Sequence, residues 1–280
     1  MIVGFLALSL SAPTAMAQSE PYGVWLQTFS EKARAAGIEQ ELLDATFKNI
    51  TVDDYVIELD RRQPEDKLSY SKYLKNTVNP RRIAKGQALL REHRVLLAQI
   101  EATYGVEPRF IIALWGMETD YGANTGNFMV VQSLATLAYE GRRRELFEKE
   151  LLAALTILQQ GPWNQFDLIG SWAGAMGNCQ FMPSSYLKFA VDWDKDGTRD
   201  IWHSLPDTFA SIANYLSQSG WQKDIGWGVK SSGEGAIFPG TAAEGGVIVT
   251  PNFEVLLKWN RSRYFASAVG QLADAIGKAE

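Results

Sequence analysis

One glutamate constrains this chain more than any other residue. It sits in the run Ile111-Ile112-Ala113-Leu114-Trp115-Gly116-Met117-Glu118-Thr119-Asp120-Tyr121-Gly122. At helical spacing Ile111, Leu114 and Trp115 precede Glu118 by seven, four and three residues, so its carboxylate shares their apolar face. Desolvation there raises a carboxyl pKa, and a glutamic acid kept protonated near neutral pH is what a general acid at a glycosidic oxygen requires. The same residue could instead close a helix near Gly122 and find a partner or solvent. Either way, an ionisable group stands on an otherwise apolar helix face.

The 280 residues are 46% hydrophobic and 21% charged, enough for a sizeable core in one large domain or two modest ones. The formal net charge of -5 and the pI of 5.3 exclude nucleic acid as the expected partner, because phosphates need a basic face. Arg142-Arg143-Arg144, surrounded by Glu140, Glu145, Glu148 and Glu150, reads as a solvated helix face. Gly4 to Leu10 followed by Ala15-Met16-Ala17 reads as an export signal over residues 1–17, with maturation at Gln18 and a soluble periplasmic product. A short membrane anchor is the alternative for that segment. The single cysteine, Cys179, excludes an internal disulfide and reads as a packed thiol rather than a nucleophile.

Helical spacing dominates from Tyr22 to Thr103. It predicts one long helix from Pro80 to Tyr104, the Glu118 helix after Pro108, and a helix from Arg144 to Gln159 closed by Gly161-Pro162. Further helices are expected over Pro206–Ser219 and Tyr264–Lys278, with a hairpin-like stretch from Gly246 to Trp259. Between them Gly170 to Pro183 is glycine-rich, a pattern that allows close backbone approach to a ligand. Asp192-Trp193-Asp194-Lys195-Asp196-Gly197-Thr198-Arg199-Asp200 has the D-x-D-x-D-G start of a calcium loop. The twelfth position holds His203 instead of the usual glutamate, and Asp207 is a candidate to complete a shell with Asp192, Asp194, Asp196 and Thr198. An aspartate-rich turn capping its own amides is the alternative. If calcium binds, its expected job is structural.

Together W-G-M-E-T-D-Y-G around Glu118, Ser171 to Gly177, Gln180-Phe181-Met182-Pro183-Ser184-Ser185-Tyr186 and the aspartate loop resemble the lytic murein transglycosylase B family. The resemblance is close from Pro108 to Trp221 and returns at Trp259-Asn260 and Tyr264. It implies a mainly α, lysozyme-like α+β fold with a small β element near the C-terminus. The implied catalytic unit spans 18–280, divided into a helical part (18–105), a lysozyme-like core (106–225) and a β/helix part (226–280). The implied activity is non-hydrolytic cleavage of the bond between N-acetylmuramic acid and N-acetylglucosamine in peptidoglycan, giving 1,6-anhydromuramoyl ends. No cofactor serves the chemistry; peptidoglycan glycan strands are the implied partner, and a monomer is expected.

By the same resemblance, Glu118 is the single acid/base, while Ser171 and Gln180 bond the sugar or orient Glu118. Tyr215 lies in the cleft and Asn260 reaches the N-acetyl region. Phe181, Met182, Trp259 and Tyr264 offer apolar faces to sugar rings, although aromatics also pack cores. Trp259 stands where a tyrosine is common in the family. Asp120, two residues from Glu118, points to nearly the opposite side of a helix and cannot flank the same bond. A lysozyme-type hydrolase and a non-catalytic wall-binding protein remain the rival readings.

Overall fold

The computed structural model describes residues 20–62, 69–230 and 247–278. The proposed export signal at 1–17 lies outside them. The described chain is mainly helical, with thirteen helices and two small antiparallel sheets.

Its centre is the helix that carries Glu118, α7 (Pro108–Thr119), numbered after six earlier ones: α1 (Tyr22–Ala35), α2 (Gln40–Phe47), α3 (Asp54–Arg61), α4 (Tyr70–Thr77), α5 (Pro80–Glu92) and α6 (Arg94–Tyr104). Pro108 starts α7 at a position where its missing N–H costs nothing. Phe110 to Gly116 are all buried, so the helix is apolar on every side and must be surrounded. After α8 (Val130–Glu140), α9 (Arg144–Gln160), α10 (Pro183–Phe189) and α11 (Leu205–Gln218) come α12 (Pro251–Trp259) and α13 (Arg263–Gly277). Helices α5, α6, α11 and α13 pack around α7, while α1 and α2 lie against α9.

Two segments differ from the sequence expectations. The long helix from Pro80 to Tyr104 is broken at His93, whose φ of -97° and ψ of 15° leave the helical region. The break turns the imidazole edge-on to Phe209, with ring centroids 5.4 Å apart. From Gly246 to Trp259, only β4 (Val247–Val249) is a strand, paired with β3 (Gly228–Lys230). Pro251–Trp259 is helix α12, because Thr250 accepts a hydrogen bond from the Asn252 N–H and Pro251 pre-sets the first turn.

The arginine run also differs. Arg142 and Arg143 lie between α8 and α9 and clamp Asp60 of α3, each with an N···O separation of 2.6 Å. Asp60 is only 2% exposed, and a buried carboxylate requires such partners. Burial works to raise its pKa, but the two guanidinium groups outweigh it and hold it below the usual range.

Candidate active site

The other sheet places the glycine-rich segment beside α7. Strand β1 (Phe128–Met129) pairs with β2 (Ile169–Gly170), and bridges Gly170 to Met176 and Met176 to Phe181 fold residues 170–181 into a tight ribbon. Gly177 has φ of +62°, and a Cβ there would sit 2.5 Å from the Ile201 carbonyl oxygen. Only glycine fits that approach. Asn178, almost fully buried, then ties three segments together. Its Oδ1 accepts from the Trp115 indole at 2.9 Å, its carbonyl accepts from Thr119 Oγ1 at 3.1 Å, and its amide donates to the Trp202 carbonyl at 2.8 Å. The end of α7 is thereby fixed to the glycine-rich ribbon and to the far side of the aspartate loop.

Glu118 is half-buried as a residue, but protein surrounds its carboxyl. Burial lifts the carboxyl from 4.5 to about 7, opposed by one hydrogen bond: Trp259 Nε1 donates to Oε1 at 2.6 Å. Ile111, Leu114 and Trp115, expected on the same face, are buried with it. Among the described residues no other acid contributes to the shift. Asp120 is turned away in the left-handed region, with φ of 51°, and bonds Arg81 and Arg82 at 2.5 and 3.4 Å. Burial tends to raise its pKa, yet the two arginines bring it below the ordinary carboxylate value.

The aromatic residues expected at the site gather on two sides. Trp259 packs on Phe181 and Tyr215, with centroids 5.4 and 4.7 Å away, and the Tyr215 hydroxyl donates to the Lys258 carbonyl at 2.7 Å. Tyr264 meets Tyr73 and Tyr70 at 5.9 and 5.1 Å. Tyr73 was not expected at the site. Burial raises its pKa, and the charge of Glu118 adds to the rise, which puts this α4 residue in the carboxylate's field. The sequence signal was slight: Tyr70 and Tyr73 lie three apart, on one helix face.

Ser171 and Gln180 are engaged with the ribbon and not with Glu118. Ser171 Oγ accepts the Ala175 N–H at 3.1 Å, and Gln180 Nε2 donates to the carbonyls of Thr125 and Gly177 at 3.0 and 2.9 Å. Met182 is half-buried at the start of α10. Asn260 is exposed just after α12, and its Oδ1 accepts from Ser262 N at 3.0 Å. Cys179 is fully buried, and burial pushes its thiol well above the usual value, so no thiolate forms there.

In the aspartate loop, carboxylate oxygens of Asp192, Asp194 and Asp196 come within 4.8 Å of one another. Gly197, with φ of +95°, makes the sharp turn, and the amides of Asp196, Gly197 and Thr198 donate to these carboxylates at 2.7–3.3 Å. Such a set of hard oxygen donors fits a calcium ion. Asp207 does not join it. Its two oxygens accept from the amides of Trp193 and Asp200, both at 2.8 Å, so it clamps the two arms of the loop from α11. Burial and the charges of Asp194 and Asp192 raise its pKa, although the two amides act against them. His203 points outward, 3.3 Å from Asp200 Oδ2.

The same segments decide the family. The transglycosylase SLT domain family matches residues 22–238 and 230–274. The chain belongs to that family. It is 29% identical over 247 residues to the membrane-bound lytic murein transglycosylase B of Escherichia coli, covering 75% of this chain and 68% of the relative. The crystal structure of SltB3 from Pseudomonas aeruginosa in complex with NAG-anhNAM-pentapeptide is similar at 38% identity and a TM-score of 0.83, over 92% of this chain and 80% of that one. The Escherichia coli lytic transglycosylase Slt35 in complex with calcium is 28% identical with a TM-score of 0.78, over 91% and 93% of the two chains. The protein is thus a lytic transglycosylase with a mainly helical, lysozyme-like fold.

Proposed function

We propose that this transglycosylase cleaves the β-1,4 bond between N-acetylmuramic acid and N-acetylglucosamine in peptidoglycan without water, with Glu118 as its only acid/base. One observation carries the reading: burial lifts the Glu118 carboxyl to about 7, and among the described residues no second acid adds to that rise. A group with that pKa holds a proton to give near neutral pH and accepts one back readily. The complexes of SltB3 with NAG-anhNAM-pentapeptide and with NAG-NAM-pentapeptide supply the substrate class.

In the first half-reaction, Glu118 gives its proton to the bridging oxygen as the bond from that oxygen to muramoyl C1 breaks. With no opposing carboxylate among the described residues, the substrate's own N-acetyl group stabilises the cationic C1, a recognised exception to the two-carboxylate rule. In the second, the muramoyl C6 hydroxyl oxygen bonds to C1 and its proton passes to the Glu118 carboxylate. The enzyme ends as it began, and the product is a 1,6-anhydro sugar. Residues 18–280 act as one catalytic unit in this reading, exported to the periplasm; no described helix is long and apolar enough to cross a membrane. Asp192, Asp194 and Asp196, with Thr198 following them in the loop, would hold a calcium ion, which would brace the loop that Asp207 and Asn178 tie to the core and would take no part in proton transfer.

The test is mass spectrometry of purified peptidoglycan digested by the mature protein and by Glu118→Gln. Anhydromuropeptides from the first and none from the second are expected. Reducing-end products would identify a hydrolase, no product from either protein would identify a binder, and an undiminished variant would remove Glu118 from the mechanism.

A further inference from the structure

Trp259 stands closer to the chemistry than a sugar platform needs to. Its ring packs on Phe181 and Tyr215, and the Tyr215 hydroxyl donates to the Lys258 carbonyl next door, contacts that favour one orientation of the indole. What it presents to the site is its N–H, 2.6 Å from Glu118 Oε1. That is short for an N–H···O bond, which ordinarily spans about 2.7–3.2 Å. An indole nitrogen donates and never accepts. The two oxygens of Glu118 are therefore not equivalent. A proton on Oε1 would weaken the acceptor that faces the indole, whereas a proton on Oε2 leaves Oε1 as the carbonyl oxygen the indole prefers.

We propose that Trp259 is a positioning residue for the acid/base: by holding Oε1 it assigns both proton transfers, to the bridging oxygen and from the C6 hydroxyl, to Oε2. This rests on the reading of Glu118 given above. The bond also favours the carboxylate that remains once the proton has left, and so offsets part of the burial that favours the acid. Among the described residues, the titratable groups facing Glu118 from neighbouring elements are Tyr73 on α4 and Cys179 in the glycine-rich ribbon, with Arg82 of α5 acting on Tyr73 and the Tyr264 ring of α13 tilted against it. Burial raises the pKa of both Tyr73 and Cys179, so neither titrates near neutral pH.

Trp259→Phe keeps a ring on Phe181 and Tyr215 and removes the donor. The alkaline limb of kcat/KM, which reports the acid of the free enzyme, should move up by about one pH unit, the worth of one such bond. A sugar platform alone would raise KM and leave that limb in place, and this result would overturn the proposal. The intact enzyme gives a second measurement that does not depend on how the variant folds. In spectra of protein labelled with 15N in its tryptophans, the Trp259 Nε1–H resonance should titrate near pH 7, with Glu118, and lose that titration in Glu118→Gln. A Trp259 resonance unmoved across that range would refute the bond itself. Muropeptide products report separately on the transglycosylase reading: a titrating indole with reducing-end products would leave the positioning role standing and the non-hydrolytic reaction rejected.

Discussion

A carboxyl pushed from 4.5 to about 7 is a liability to the folded state, and replacing Glu118 by glutamine measures its size. In the unfolded chain the carboxyl ionises as the pH passes 4.5; in the folded protein it stays protonated until about 7. Its favourable contribution is thus fully present below 4.5, shrinks as the pH rises, and is gone above about 7. At about 1.4 kcal/mol per pH unit, that interval amounts to about 3 kcal/mol. Glutamine keeps an oxygen for the Trp259 N–H and does not titrate, so any cost of its buried amide is the same at every pH. Relative to wild type, Glu118→Gln should therefore gain about 3 kcal/mol between acid and mildly alkaline conditions. For a domain of this size that is a relative rise in Tm of about 6–12 °C. Scanning calorimetry of both proteins from about pH 4 to about pH 9 reads the difference directly. Two melting curves that run parallel across the range would show that Glu118 ionises in the folded protein as it does in water, and the argument for a buried acid would fall with them.

Two further outcomes follow from the loops. Gly177→Ala forces a Cβ against the Ile201 carbonyl oxygen at a backbone angle that L residues avoid, and should cost about 2–4 kcal/mol, read as a lower midpoint in urea unfolding. A wild-type midpoint in that variant would show that the ribbon can shift without penalty. Calcium in excess should raise the Tm of the wild type, and Asp194→Asn should remove most of that rise while leaving the Tm in chelator nearly unchanged. An equal response of the two proteins would exclude Asp194 as a ligand.

What the sequence made legible was local. The apolar face that carries Glu118, the aspartates of the calcium-type loop and the helices at 144–160, 205–218 and 263–277 are all written within a few turns of chain, where spacing and end signals suffice. The break at His93 was not, because Leu89-Leu90 and Leu96-Leu97 continue the helical pattern and the imidazole's partner is on α11. The arginine run misled for a similar reason. Its neighbours in sequence are acidic, but Asp60, the carboxylate it serves, is more than 80 residues away. Motif resemblance named Trp259, Tyr215, Phe181 and Tyr264; the structure packs the first three together and sets Tyr264 against Tyr70 and Tyr73, while the work of each polar group had to come from geometry. Asp207 has the chemistry of a metal ligand, yet two amide donors occupy its oxygens; Ser171 and Gln180 hold backbone together.

The bond between Trp259 and Glu118 joins residues 141 positions apart, and α13, which follows Trp259, is one of the helices that enclose α7. Synthesis runs from the N-terminus, so the acid is made long before the indole that holds it. A chain still emerging, or one cut short before α12, has its glutamate but neither the donor that orients it nor the helix that shields it from water. Long-range closure of this kind also slows folding. The carboxyl and the indole that holds it therefore meet only when the last helices of the chain have been made.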